Sequence, residues 1–194
     1  IVETTSGPYY LHVHAHNAHI PYLVEDALRF GRHDHKSDWG RFLCSQEETD
    51  AMFSSLIPQL TELLASHADN SSPVLLVLSS DHGQSFGEHG YCSHGTAVTN
   101  EQVVVPLCLT HPLLSRSSID CSTHFDVLPT VLDLLGVDAR AVHGQSVLSE
   151  HHVVEPMLFD GQPSRSSSGC LGLLLDGRKY SLDLVRDVLV CSAV

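Results

Sequence analysis

Basic side chains are scarce in this sequence of 194 residues. Lys and Arg together number 10 against 23 Asp and Glu, which gives a formal net charge of −13. Surfaces that bind nucleic acids need clustered Lys and Arg to neutralise phosphates, so this balance argues against a nucleic-acid partner. If the substrate is an anion, something other than overall charge must attract it, and a bound divalent cation would do so locally, because such an ion is usually the largest charge at its site.

Long apolar runs and paired cysteine motifs are also missing. The sequence has neither a run of about eighteen apolar residues that could span a bilayer nor a signal-peptide pattern. Its 6 cysteines lack Cys-x-x-Cys spacing, so neither a zinc ribbon nor a dense disulfide framework is predicted. The hydrophobic content of 42% and the charged content of 17% are typical of a globular protein with a real core.

The first half of the chain predicts a strand followed by a helix. Residues 9–16, "YYLHVHAH", alternate between two faces, which is typical of a strand. Residues 45–67 open with a capping box formed by Ser45 and Glu48, and apolar residues follow at helical spacing. Pro58 should kink this helix.

The second half continues the alternation of strands and helices. The apolar run at 73–80 predicts a central strand that is covered on both faces, and residues 103–109 predict a strand near the sheet margin. Residues 126–136 predict a helix that is capped by Asp126 and stopped by a glycine, and Asp176-Gly177 predicts a hairpin turn. The order predicts an α/β fold with a small β element at its end.

Asp81 and His82 come directly after the predicted central strand. Open α/β sheets bind ligands outside the carboxyl ends of their strands, and Gly83 allows the loop to bend. Carboxylate plus imidazole suits zinc, manganese or a similar divalent ion better than an all-oxygen magnesium site. The alternative is structural, with Asp81 capping a turn and His82 hydrogen-bonded within a loop.

Two further histidines are candidates for the same site. His94 follows Asp81 by thirteen residues, and its imidazole could hold an oxygen of an anion. His19 follows a different predicted strand and could protonate a leaving oxygen as a general acid. A hydrogen-bonded structural role is the alternative for any single histidine, and it is the expected role of the following residues: His12, His16, His33, His35, His111, His151 and His152.

Four segments carry a longer pattern. The main one, residues 74–109, reads "VLLVLSSDHGQSFGEHGYCSHGTAVTNEQVVVPLCL". The others are "LHVHAHNAHIPY" (11–22), "THFDVLPTVLDLLGV" (123–137) and "LLDGRKYSLDL" (174–184). In their order along the chain, the four segments resemble motifs of the sulfatases of the alkaline phosphatase superfamily. Segment 11–22 departs from the family at Asn17 and Ala18, where Asp and Pro are usual, and segment 174–184 has its Lys before its Tyr.

The resemblance implies a fold. We expect an α/β sandwich with a mostly parallel central sheet covered by helices, similar to alkaline phosphatase, that ends in a small β-hairpin element. Residues 1–150 would form the carboxyl-terminal half of a sulfatase-like catalytic domain, and residues 151–194 a loop and terminal hairpin of the same domain. The chain would then be a partial domain.

The resemblance also implies metal-dependent hydrolysis of sulfate esters. Asp81 and His82 match the second pair of metal ligands, His94 matches a residue that contacts the sulfate oxygens, and His19 matches a histidine near the leaving oxygen. The ion would be calcium, or manganese or zinc, and the substrate an anionic sulfate or phosphate ester. Supporting roles are expected for the remaining matched residues: Glu88, His89 and Glu101.

The family's nucleophile and its other metal-binding carboxylates lie upstream of the matched segments, so we expect the chain to be incomplete for catalysis. Residues 161–165, "GQPSR", echo the Cys-x-Pro-Ser-Arg signature of that nucleophile. Gly161 has no side chain that could attack, so a surface loop is expected. The resemblance favours an extracytoplasmic location, and an upstream segment could provide membrane association.

Two other functions remain open. A phosphoethanolamine or phosphoglycerol transferase, or a phosphodiesterase, of the same superfamily also fits the pattern, and Asp-His in place of the commoner Asp-Asn favours phosphate chemistry modestly. A non-catalytic fragment or binding remnant without the nucleophile is the alternative outside the enzymes.

Overall fold

The computed structural model describes residues 10–67, 74–115, 117–138, 140–161 and 169–193. The chain divides into two compact units. One comprises Ile1–Leu76 and Leu109–Leu114, and the other comprises Val77–Cys108 and Ser115–Val194.

In its described residues the first unit contains two helices, α1 (Ala27–Phe30) and α2 (Asp38–His67). Helix α2 begins earlier than predicted, because Ser37 acts as its cap by accepting the N–H of Gly40 through Oγ at 3.1 Å. Ser45 lies inside the helix, where its Oγ donates to the carbonyl of Phe42 at 2.7 Å. The helix continues past Pro58. Within the described residues, no helix combines the length and apolar content that a membrane span needs.

The predicted strand at the start of the first unit is wrong for its described part. Residues 10–16 belong to no strand, and the Leu11 and Val13 side chains remain 51% and 43% exposed. The alternation of these side chains therefore buries no apolar face. Downstream, Asn17 donates from Nδ2 to the carboxylate of Glu48 at 2.8 Å. An Asp at position 17, as in the family pattern, would place two carboxylates against each other.

Four short strands and one short helix accompany the segment that contains Asp81, His82 and His94. Strand β1 (Leu76–Ser79) confirms the predicted central strand and pairs with β4 (Leu107–Thr110). Strands β2 (Ser85–Phe86) and β3 (Cys92–Ser93) form an antiparallel hairpin. Strand β4 begins later than predicted because residues 100–103 form the short helix α3, which ends where the N–H of Val104 bonds to the carbonyl of Asn100 at 2.9 Å.

Helix α4 (His124–Leu134) confirms the predicted helix, but its cap differs. Thr123 is the N-cap, and the Asp126 carboxylate accepts from the Thr123 N–H at 2.7 Å as the reciprocal half of a capping box. Asp126 also accepts from the N–H of Gln145 at 2.9 Å. Gly136, with φ 67°, follows the helix as predicted.

A four-stranded antiparallel sheet closes the second unit, with strand order β5-β6-β7-β8. The predicted hairpin is its centre, formed by β6 (Cys170–Leu175) and β7 (Arg178–Asp183). Asp176 and Gly177 both have positive φ, as a tight hairpin turn requires. The flanking strands β5 (Met157–Gly161) and β8 (Val188–Ala193) were not predicted.

This sheet packs directly against the loop that follows the β2–β3 hairpin. The buried cluster at the contact consists of Tyr91, Ala97, Val98 and Cys170, with Phe159 packed against it. The sheet is therefore the support on which the candidate site rests. Of the expected surface loop at 161–165, only Gly161 lies in the described residues, where it ends β5; residues 162–165 lie outside them.

Candidate functional site

Asp81 and His82 lie immediately beyond the end of β1, as predicted. The Nδ1 atom of His82 is 2.9 Å from the carbonyl oxygen of Gly83. A carbonyl can only accept, so Nδ1 carries the proton and the Nε2 lone pair remains available for a ligand. Nε2 lies 3.6 Å from Oδ2 of Asp81. The two side chains thus present one nitrogen and one oxygen donor at a common point.

Serines and a histidine fix the turn that carries this pair. Ser80 donates from Oγ to the carbonyl of His82 at 2.8 Å, and its own carbonyl oxygen lies 2.9 Å from Nε2 of His124 at the start of α4. Ser79 donates from Oγ to the carbonyl of Pro106 at 2.9 Å, next to β4. The position of Asp81 therefore depends on neighbours from two other elements.

Gly83 is required by a close backbone contact. Its N–H donates to the carbonyl of Gln102 at 2.9 Å. A Cβ atom at position 83 would lie 2.2 Å from the carbonyl oxygen of Glu101, far inside van der Waals contact. This glycine therefore lets the chain pass against α3, a stronger constraint than the flexibility expected from the sequence.

The structure brings His94 onto His82. Their rings are stacked with centroids 3.9 Å apart and an interplanar angle of 25°. The Nδ1 atom of His94 is 2.8 Å from Oε1 of Gln84, the residue just before β2. Asp81, His82 and His94 thus meet in one cluster at the end of β1.

Gln102 organises the loop beneath this cluster, and sequence reasoning missed it. Gln102 is buried, with only 2% of its surface exposed. Its Oε1 accepts from the N–H groups of Thr96 and Ala97 at 3.1 and 3.0 Å, and its Nε2 donates to Ser85 Oγ and Thr96 Oγ1, both at 3.0 Å. Nothing in the local sequence distinguishes this glutamine, because all of its partners are brought to it by the fold.

The residues expected to have supporting roles lie in or beside the hairpin turn. Glu88 accepts the N–H of Phe86 at 2.6 Å. His89 has a left-handed backbone with φ 56°, and its Nε2 lies 3.6 Å from the Glu101 carboxylate. The pKa of Glu101 lies below its ordinary value, chiefly because its own backbone N–H bonds to the carboxylate, with further help from Thr99 and His89 against the opposing effect of burial.

Lys179 reaches the same loop from β7. Its ammonium donates to the carbonyl of Val98 at 2.8 Å, and the residue is 4% exposed. Burial lowers the pKa of Lys179 to about 8, and the Glu101 carboxylate offsets only part of that effect. The buried ammonium of Lys179 is thus bonded to the loop that follows the β2–β3 hairpin.

His19, the predicted general acid, belongs to the first compact unit. Its Nδ1 lies 2.7 Å from the carbonyl of Ile20, and its ring centroid is 6.3 Å from that of His16. Its catalytic role stays a prediction from the resemblance. Two histidines expected to be structural do have such contacts: the ring of His33 lies 3.2 Å from Glu47, and that of His111 accepts an N–H at 3.2 Å.

The donor set at Asp81 and His82 fits two coordination positions of a divalent ion. Mixed nitrogen and oxygen ligands suit zinc or manganese, and the Nδ1 bond to Gly83 orients the imidazole as metal-binding histidines usually require. Across the described ranges, no group of three or more His, Cys, Asp or Glu side chains is placed to hold an ion. Any further ligands would have to come from elsewhere.

Comparison with known proteins shows which family and which relatives the chain resembles. The profile of the family described as Sulfatase matches residues 1–137. A curated protein from Escherichia coli strain K12, the uncharacterized sulfatase YidJ, is 29% identical over 76 residues, which are 38% of this chain and 15% of that protein.

Solved structures give the same result for the fold. BT4656, in complex with its substrate D-glucosamine-2-N,6-O-disulfate, has a TM-score of 0.59 at 20% identity, covering 86% of this chain and 37% of that one. A putative sulfatase from Bacteroides thetaiotaomicron has a TM-score of 0.53 at 16% identity, covering 80% and 34%. The expected α/β architecture, similar to alkaline phosphatase, is confirmed. The chain spans little more than a third of these structures.

Proposed function

The chain belongs to the sulfatase family, and we propose that it forms part of an enzyme that hydrolyses sulfate esters with the help of a divalent metal ion. The observation that carries this proposal is the cluster of Asp81, His82 and His94 at the end of β1, with a fixed His82 tautomer and stacked histidine rings. Ligand sites of α/β sheets lie in this position.

In this proposal Asp81 and His82 are two ligands of the ion, which is calcium, manganese or zinc. When bound, such an ion polarises the ester and activates a nucleophile. The work of this chain is to orient the donors: the Gly83 carbonyl accepts from the imidazole of His82, and the backbone N–H of His82 donates to Oδ1 of Asp81 at 3.0 Å. The nucleophile is proposed to come from a part of the enzyme beyond these residues, and residues 1–150 and 151–194 are proposed to belong to one catalytic domain.

His94 is proposed to contact an oxygen of the substrate anion. Gln84 occupies its Nδ1, so donation to the anion has to come from Nε2. A ring that donates from both nitrogens is an imidazolium, whose positive charge would attract an anion locally although the chain as a whole has a net charge of −13. His19 is proposed as the general acid for the leaving oxygen.

The substrate class proposed is an anionic sulfate ester, with a sulfated sugar as the first compound to test, because BT4656 binds a disulfated glucosamine. The Asp-His pair also favours testing phosphate esters, since phosphate-directed relatives remain open on sequence grounds. A non-catalytic remnant would hydrolyse neither.

The test is metal-dependent hydrolysis of matched aryl sulfate and aryl phosphate esters by the complete enzyme. Asp81→Ala and His82→Ala should each lower the rate by about 100-fold or more, because loss even of groups that only support metal ligands typically costs up to about that factor. His33→Ala, which alters a histidine paired with Glu47, is the matched control. Full activity in the Asp81→Ala, His82→Ala double variant would contradict the assignment, and preferential phosphate hydrolysis would favour the second candidate.

A further inference from the structure

The turn of the β2–β3 hairpin is held by a residue from the far end of the chain. Arg186 follows β7 and donates from Nη1 to the carbonyl of His89 at 2.7 Å. Its guanidinium lies over the ring of Tyr91, 4.8 Å from the centroid. An arginine fork that both stacks and donates fixes direction as well as distance.

Asp183 sets the geometry of this contact. Its Oδ1 accepts the N–H groups of Val185 and Arg186 at 3.0 and 2.9 Å, which shapes the turn that carries the arginine. Its Oδ2 accepts the Tyr91 hydroxyl and lies 3.6 Å from Nε of Arg186. Although burial opposes it, the bonds from Tyr91 and the two N–H groups hold the pKa of Asp183 below its ordinary value. Tyr91 is 8% exposed, so the contact is anchored in the core.

Gly90 makes room for the same guanidinium. Its φ is 79°, and a Cβ atom there would lie 2.8 Å from Nη2 of Arg186. The glycine thus meets two demands at once, the left-handed turn and the space for the arginine.

The β2–β3 hairpin connects the turn that Arg186 contacts to His94. Ser85 pairs with Ser93 across the two strands, and the residues just outside that pair are Gln84 and His94, which are in contact. The two paired positions, Ser85 with Ser93 and Phe86 with Cys92, are therefore the whole distance between the turn that Arg186 contacts and the Gln84–His94 contact.

We infer that Arg186 is a positioning residue, which fixes the hairpin turn and thereby holds His94 against His82. The inference is structural, and only its consequence for substrate binding rests on the proposed function. Arg186 itself lies on the sheet side of the hairpin turn and is not assigned to contact substrate.

The experiment compares the histidine ring resonances of the wild-type chain with those of Arg186→Gln and Arg186→Lys by NMR. Stacked rings shift each other's proton resonances, so Arg186→Gln should displace the His82 and His94 signals together. Lys keeps the positive charge and one donor nitrogen but cannot form the planar fork, so Arg186→Lys should give a smaller displacement. Arg140→Gln, which removes an exposed arginine paired with Asp138, should leave both signals in place. Circular dichroism and thermal unfolding identify folded variants.

The outcomes separate this inference from the proposed function. Unchanged His82 and His94 resonances in a folded Arg186→Gln protein would overturn the inference. If that variant does not fold, Arg186→Lys carries the test, and unchanged His82 and His94 resonances in a folded Arg186→Lys protein would overturn the inference. Titration with inorganic sulfate follows: displaced resonances without any sulfate response in the wild type would support the positioning role and contradict only the anion-binding role of His94.

Discussion

His82 and His94 lie ring upon ring, with centroids 3.9 Å apart, although eleven positions and a complete hairpin separate them in the sequence. His82 is oriented by its neighbour Gly83, and His94 by Gln84. Each ring therefore has one nitrogen bonded to the protein, and the stacking brings together the imidazole proposed to bind the metal ion and the imidazole proposed to contact the anion. Hydrolysis of a sulfate ester with the help of a metal ion, as proposed, requires the ion and the anion to bind side by side.

The close approach of Gly83 to α3 leads to a stability prediction. Gly83→Ala places a Cβ 2.2 Å from the Glu101 carbonyl oxygen, so the backbone has to separate and the bond to Gln102 has to lengthen. We expect the free energy of unfolding to fall by about 1–3 kcal/mol, the usual cost of forcing atoms into a packed region. Urea unfolding measures it. Gly169→Ala is the control, since its Cβ would meet only the tip of Leu184 at 3.3 Å; equal effects of the two substitutions would contradict the argument.

The buried amide of Gln102 gives a second prediction. Gln102→Leu keeps the approximate shape but leaves the N–H groups of Thr96 and Ala97 without their acceptor. We expect a loss of about 2–4 kcal/mol in the free energy of unfolding, because each unsatisfied buried group costs about 1–3 kcal/mol. Gln59→Leu, on an exposed position of α2, should change stability little. A Gln102→Leu protein as stable as the wild type would contradict the claim that the hydrogen bonds of Gln102 hold this loop in place.

Lys179 predicts a specific pH dependence. Burial lowers its pKa to about 8 from the ordinary 10.5. Between these values the unfolded chain binds a proton that the folded chain has released, so the contribution of Lys179 makes the free energy of unfolding rise with pH. Lys179→Met should lose this rise, and Lys36→Met, at an exposed lysine, should keep it. Urea unfolding across that window measures the difference; parallel curves for wild type and Lys179→Met would contradict the buried cation.

Local patterns sufficed to predict the elements nearest the site. The apolar run before Asp81 predicted β1, helical spacing with a terminal glycine predicted α4, and Asp176-Gly177 predicted the β6–β7 turn. Each of these depends on residues a few positions apart. The same locality explains why the motif placed Asp81 and His82 correctly at a strand end.

Most of the features that failed depend on distant partners, whereas the capping-box prediction failed for a local reason. The alternation at 10–16 predicted a strand, but a strand needs a neighbour to pair with, and the described residues provide none there. The capping-box pattern at Ser45 was wrong because Ser37 offers an earlier cap. Gln102 and Arg186 owe their importance to partners up to 97 positions away, which no local pattern reveals.

The central claim is that Asp81 and His82 bind a metal ion, and paramagnetic broadening of histidine NMR signals by added manganese tests it most directly. This measurement detects weak binding and distinguishes the 15 histidines of the chain. At low manganese concentration the His82 signal should broaden first, and Asp81→Ala should remove that preference while Asp138→Ala preserves it. Equal broadening of exposed histidines, with His82 no more sensitive than His33 or unaffected by Asp81→Ala, would contradict the account.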